Sequence, residues 1–334
     1  MTEQFAQERL SGLGGSDAAA ICGLNKYKSP LQVWREKVGL HVVEETEAMY
    51  WGTAIEPIVR TRYEKILKER YGDHAEVVPS EFFRHREHPC LIAHLDGVLV
   101  SRQNGSGPRR DTAFGILEVK TAGERMKQDW GDEWTDDIPQ SYLTQVQHYL
   151  GVTELPFCHV AVLFGGREFK IFEVKSNADF IKNLFELELK FWNDHVLTQI
   201  PPEPDGSESA TAMLKEMYPA DTGATVEATG EVRDWAKEYQ CHKGIIKQAE
   251  TDADNARNHI VSFMGEAAIL TGPDFRVTYK TDKERRIIDH KAAIEEIMGN
   301  PAIDPVFKSI LEDHMNSHTI TKAGSRRFLA KFEE

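Results

Sequence analysis

Glu118 and Lys120 stand two residues apart in the run 114–121. Strand alternation puts both on one face, with Leu117 and Val119 on the other. A carboxylate and an ammonium so placed can serve one site. The carboxylate holds a divalent metal, and the ammonium orients or stabilises a nucleophilic water. An ordinary surface ion pair has the same spacing. Upstream, Asp96 sits beside an apolar strand and is followed by Gly97, a second acid for such a site or a plain turn aspartate. In 51–57, Glu56 is either a third carboxylate or the Glu of a capping box begun by Thr53. Tyr142, Gln145 and Tyr149 fall at i, i+3 and i+7 of a helix and share a face. An amide within an aromatic stripe reads as the lining of a groove, with core packing as the alternative.

The elements that must carry these residues alternate. Residues 16–22 and 29–38 read as short helices, the second opened by Ser29-Pro30, a cap followed by proline at the first helical position. Residues 53–70 read as a longer amphipathic helix, 90–100 and 115–121 as strands, and 139–150 as a helix. Strands 158–164 and 168–175 flank the turn Gly165-Gly166, and a helix over 177–197 follows. This pattern predicts an α/β mixed-sheet domain over 1–200. The proline-rich stretch 201–206 is the expected linker. Beyond it, 207–334 reads as a helical and β-hairpin (α+β) extension. It has a long helical pattern at 226–270, strands at 274–280 and 284–288, helices near 290–298 and 303–315, and a strand pair at 317–322 and 326–332. No internal repeat and no sustained heptad seam is expected there. Arg276, Lys280, Lys283, Arg285, Arg286, Lys322, Arg326, Arg327 and Lys331 would make the strand pairs basic, as a charged binding surface or a solvated face.

Composition narrows the function classes. The 334 residues are 40% hydrophobic and 28% charged, which excludes wholesale disorder. No apolar run approaches the roughly 20 residues of a bilayer span, and the first residues lack the apolar stretch of a signal peptide. Cys22, Cys90, Cys158 and Cys241 are scattered, without CxxC, and suit a reducing cytoplasm. The net charge of −14 excludes a surface coated in basic residues for DNA, but not a local basic groove or an acidic cluster that binds metal. His85 and His88 lack the cysteines of a zinc pair. Neither a GxxxxGK[ST] loop nor a GxSxG elbow occurs.

Taken in order, Glu56, Asp96, Glu118-Val119-Lys120 and Gln145-x-x-x-Tyr149 resemble the PD-(D/E)xK nuclease superfamily, whose core is a restriction-endonuclease-like mixed sheet flanked by helices. The Trp-Gly-x-x-x-Glu at 51–56 and Tyr-x-x-Gln-Val-Gln at 142–147 resemble the lambda-exonuclease/YqaJ group of phage recombination nucleases. So does the segment 9–17, although Arg9 and Gly12 are one residue further apart than in that group. The resemblance covers 1–200. It implies Mg²⁺-dependent 5′→3′ exonuclease action on linear double-stranded DNA, leaving 3′ single-stranded tails for a single-strand annealing protein. It also implies a homotrimeric ring in a bacterial cytoplasm, of phage or prophage origin, with no membrane. Two ions are implied, with Mn²⁺ able to substitute and Ca²⁺ inhibitory. Asp96, Glu118 and the Val119 carbonyl would hold the first and Glu56 would help hold the second. Lys120 would contact the attacking water, and Gln145 would position the cluster. Arg9 and Ser16 would take the 5′ phosphate, with Tyr142, Gln145 and Tyr149 along the DNA. Lys26 and Lys28 belong either to the inward face of the ring or to solvated surface. The competing readings are a Cas4/RecB-like nuclease of other polarity, an endonucleolytic cutter, and an inactive DNA-end-binding protein.

Overall fold

Leu117 and Val119 do face away from Glu118, and each side of their strand packs against a different helical layer. The computed structural model describes residues 3–79, 82–101, 113–281 and 290–317. Contacts divide the chain into two compact units, Met1–Tyr218 and Pro219–Glu334. The first unit begins with helices α1 (Glu3–Leu10), α2 (Gly15–Ile21), α3 (Pro30–Lys37) and α4 (Glu47–Tyr71). Strands β1 (Ala75–Pro79), β2 (Phe82–Arg84), β3 (Ile92–His94), β4 (Gly97–Ser101) and β5 (Ala113–Ala122) follow. Then come α5 (Gln140–Thr153), β6 (Phe157–Phe164), β7 (Glu168–Lys175), α6 (Ala178–Phe191) and α7 (Glu208–Met217).

The main sheet has the order β1-β4-β5-β6-β7. Only β5 and β6 run parallel, so the sheet is mixed. On one face Leu99, Leu117, Val119, Ala161 and Ile171 pack under Val59, Tyr63 and Leu67 of α4. On the other, Ile116, Val160, Val162 and Phe172 pack with Val146 and Leu150 of α5 and with Leu31 and Trp34 of α3. Each such side chain, fully buried, contributes about 1.5–3 kcal/mol. Two apolar faces between helices explain why β5 and β6 read as apolar runs.

Four local expectations are corrected. Helix α4 starts at Glu47, with the Thr46 hydroxyl accepting from the Met49 amide at 3.3 Å. Thr53 is therefore interior to the helix, and Glu56 is not part of a capping box. The run 90–100 is two strands in different sheets, β3 with β2 and β4 with β1 and β5. Asp96 occupies the break between them. Helix 177–197 ends at Phe191 and closes with a wider turn, Trp192–Val196. Finally, α7 lies with the first unit. Arg35 of α3 reaches Glu216 at 2.8 Å, and the Ser209 hydroxyl donates to Gln32 at 2.7 Å. The division thus falls later than the proline-rich stretch 201–206.

The second unit contains α8 (Gly230–Met264), β8 (Ile269–Thr271), β9 (Arg276–Thr278), α9 (His290–Gly299) and α10 (Pro305–Ser317). The strand expected at 274–280 exists as β9, and it pairs back onto β8. Strand β8 begins inside the stretch expected to be helical and runs one residue past its end. Gly265, at φ 53°, ends α8 and turns the chain there. Strand 284–288 lies outside the described residues, as do 318–322, 326–332 and the basic residues Lys283, Arg285, Arg286, Lys322, Arg326, Arg327 and Lys331. Ser317 closes α10 and begins no strand. The expectation of no heptad seam also fails. Over the bounds of α8, Val232, Tyr239, Ile246, Ala253 and Ile260 recur every seven residues, with Trp235, His242, Ala249, Ala256 and Phe263 between them. The small and polar members hide this repeat from a hydrophobicity pattern. Among the described residues, no helix is long and apolar enough to cross a membrane.

Candidate active site

Strand β5 delivers Glu118 to the face covered by α5, where the residue is 2% exposed. Three groups meet there. The Lys120 ammonium donates to Glu118 Oε1 at 2.6 Å, and the Gln145 amide donates to the same oxygen at 2.8 Å. Gln145 Nε2 also donates to the Tyr149 hydroxyl at 2.9 Å, so the shared helical face of Gln145 and Tyr149 is a hydrogen-bonded unit. Tyr142 lies half-buried one turn earlier, its ring centre 5.2 Å from the Lys120 ammonium. Burial opposes the Lys120 charge, but Glu118 and Asp96 outweigh it and hold its proton more tightly than usual.

Asp96 reaches the same place from the break between β3 and β4. The β4–β5 ladder stops at Gly97 opposite Leu117. One step on, the Val119 amide donates to Asp96 Oδ2 at 2.7 Å instead of to a strand. A residue in a ladder turns its N–H and C=O to the same side. The Val119 carbonyl therefore faces this end of the sheet. Burial, then the Glu118 charge, pushes the Asp96 carboxyl up to about 7, against the pull of Lys120 and the Val119 amide. Glu56, half-buried on α4, is ion-paired with Arg60. Burial and the Asp96 charge push its carboxyl up too.

Glu118 Oε2 is buried and, among the described residues, has no hydrogen-bond partner. A buried polar atom left so is costly, and the Glu118 charge crowds the Asp96 carboxyl. A divalent cation would relieve both strains, so the donor set fits one. Among the described residues, no three His, Cys, Asp or Glu side chains form a ready-made cage. Mg²⁺ does not need one, since it commonly takes one or two carboxylates and keeps several waters.

A cleft of about 480 Å³ runs from Asp96 and Glu56 to the N-terminal segment. Arg9, Ser16, Glu56, Asp96, Gln145 and Tyr149 all line it. A second hollow, of about 280 Å³, shares Ser16 and Gln145 and extends past Tyr142 to Lys26 and Tyr27. Gly15 allows this approach, because a Cβ there would come within 2.9 Å of Gln145 and 2.7 Å of the Tyr149 ring. Lys26 is exposed. Lys28 fits neither expected role: its ammonium is buried between Asp17, at 2.8 Å, and Glu36, at 2.5 Å.

Asp17 is the residue that sequence reasoning missed. It accepts from the Gly14 amide at 3.0 Å and from Lys37 at 2.7 Å as well as from Lys28. Lys37 also donates to the Arg9 carbonyl at 2.7 Å, which ties the end of α1 to α3. Burial opposes ionisation of Asp17, yet Lys28, Lys37 and Arg9 together hold its carboxyl well below the usual range. The available signal was its place three residues after Gly14, in the first turn of α2. A second missed group is His148, wholly buried, with Nδ1 at 2.7 Å from Glu188 and Nε2 at 2.8 Å from the Ile92 carbonyl. It links α5 and α6 to the strand preceding Asp96.

Residues 4–156 match the model of the YqaJ-like viral recombinase domain. The chain is 33% identical over 290 residues to the YqaJ protein of Bacillus subtilis strain 168, covering 85% of each. It is 25% identical over 183 residues to a protein of Acanthamoeba polyphaga mimivirus, covering 54% of this chain and 31% of that one. Among solved structures it is similar to an alkaline exonuclease from Laribacter hongkongensis, with 16% identity and a TM-score of 0.43. That match covers 65% of this chain and all of the other.

Proposed function

The chain belongs to the YqaJ-like viral recombinase family, and from that premise we propose that it is a divalent-metal-dependent exonuclease of the PD-(D/E)xK type. It degrades linear duplex DNA 5′→3′ with Mg²⁺ and leaves 3′ tails for a single-strand annealing protein. The observation that carries the reading is the meeting of Asp96, Glu118, Lys120 and Gln145 at one end of the sheet, with Glu118 Oε2 buried and unsatisfied.

Asp96, Glu118 and the Val119 carbonyl would hold one Mg²⁺, and Glu56, released from Arg60, would help hold a second. Bound there, the metal offsets charge on phosphate oxygens and acidifies a water. The residues of the chain do the rest. Lys120 keeps its proton and offers it as a hydrogen-bond donor to the attacking water and the scissile phosphate. Gln145 fixes the Glu118 carboxylate through one oxygen, and the other would be the one that holds the metal. Arg9 supplies a charged fork for a terminal phosphate, and Ser16 adds a hydroxyl in the same cleft. Tyr142 and Tyr149 border the path of the strand. Three copies would close around the duplex as a ring.

Incubation with linear and with closed circular duplex, with and without Mg²⁺, tests the reading. Only linear DNA with Mg²⁺ should be degraded. Cutting of the circle, or metal-independent cutting, would overturn it.

A further inference from the structure

We propose that α8 is a self-association element, packing parallel and in register against α8 of another copy of this chain. The inference rests on the second unit alone and does not depend on what the first unit cuts.

Helix α8 has 35 residues, roughly 50 Å, and every residue from 230 to 260 is exposed. Val232, Trp235, Ile246, Ile260 and Phe263 are 45, 52, 48, 37 and 80% exposed. A helix of this length does not expose such side chains for its own stability, since isolated helices are marginal and gain from packing an apolar face. The spacing identifies the kind of partner. A repeat of seven with alternating steps of three and four keeps a narrow seam facing a second helix that carries the same repeat. A helix on a globular core would show a broader stripe. Ala249, Ala253 and Ala256 in the middle of the seam allow close approach.

The flanking charges select a further copy of α8. In a parallel pair, the residue just before one seam position meets the residue five further along the other helix. Glu238 would then meet Lys243 of the other copy, and Asp252 would meet Arg257 of the other copy. No such pair along α8 sets like charges together. Within one chain, Arg257 makes an exposed contact with Asp254 at 3.4 Å, which is weak enough to exchange.

Sedimentation of the full chain at micromolar concentration should give a mass above that of one chain. Glu238→Lys should weaken α8 pairing about tenfold or more, read as loss of disulfide cross-links along the seam, and adding Lys243→Glu should restore them. In a Cys241→Ser background, Ala249→Cys and Ala256→Cys should each form a disulfide with the same residue of another copy. Thr251→Cys, on the outer face, should not. An antiparallel pair cannot bring both positions onto themselves. A monomer, cross-linking at neither or only one of the two seam positions, or seam cross-linking untouched by the charge reversal would overturn the proposal, and a mass held by a ring of the first unit would not rescue it.

Discussion

Gln145 and Glu118 meet between α5 and β5, amide nitrogen to carboxylate oxygen, at 2.8 Å. The same nitrogen donates to the Tyr149 hydroxyl one turn along the same helix, which holds the amide in the orientation that meets the carboxylate. Lys120 occupies the same oxygen of Glu118. The second oxygen carries neither bond, so in the proposed site Glu118 would meet the metal directly and Gln145 would act through that carboxylate.

Replacing Glu118 by Gln, or Lys120 by Ala, should lower cleavage of linear duplex by about a hundredfold or more. Circular dichroism and the melting temperature should stay close to the unmodified protein, because β5 is held by strands on both sides. Near-normal turnover of either variant in Mg²⁺ would mean that the site is misassigned. EDTA should abolish cleavage. Ca²⁺ should bind without restoring it, since its larger and looser coordination does not align water and phosphate.

Gln145→Leu should act more mildly. Groups that orient a metal ligand are typically worth 10–100-fold in metal affinity or activity. The expected signature is a raised Mg²⁺ requirement with little change in DNA affinity. Tyr149→Phe, which removes only the hydroxyl, should reproduce a fraction of that shift. A change in DNA affinity with the Mg²⁺ requirement unmoved would instead put Gln145 on the substrate.

The acid stability of the protein should depend on Asp17. Its folded carboxyl is held well below the ordinary value of about 4. Its contribution is therefore present above that ordinary value and is lost as pH falls through the lowered folded one. Asp17→Asn should lose about 3–5 kcal/mol at neutral pH, because it leaves two buried lysines short of a counter-charge. It should also flatten the loss of stability below about pH 4. Denaturant midpoints measured across pH check both, and parallel curves for the two proteins would refute the assignment.

The positions of Glu118, Lys120, Gln145 and Tyr149 are legible in the sequence because two periodicities, 2 for a strand and 3.6 for a helix, decide which side chains share a face. Asp96 is legible as an acid before glycine, but not as the cap of the Val119 amide. That role depends on where the β4–β5 ladder stops. Lys28 shows the limit from the other side. A lysine beside Lys26 in a polar loop reads as surface, and only the fold of α2 against α3 encloses it between Asp17 and Glu36. Helix α8 misleads for a third reason, since its seam is carried partly by alanine and histidine, which an apolar count passes over.

The end of the DNA supplies the last test. Arg9 stands in the last turn of α1, its carbonyl fixed by Lys37, and it lines the cleft with Ser16 at a distance in sequence that one extra residue lengthens. If Arg9 takes the terminal phosphate, duplex with a 5′ phosphate should be degraded faster than duplex with a 5′ hydroxyl. A charge-assisted hydrogen bond contributes about 1.5–3 kcal/mol, so Arg9→Ala should slow phosphorylated ends by roughly ten- to a hundredfold. Hydroxyl ends should change little, and the gap between the two should close. The loss should fall on initiation and processivity, because Asp96, Glu118 and Lys120 are untouched. Arg9→Lys gives a second reading, since it keeps the charge but not the two-pronged guanidinium, and it should produce part of the same loss. Equal rates on the two kinds of end for the unmodified protein would remove Arg9 from this role and leave the metal site as assigned.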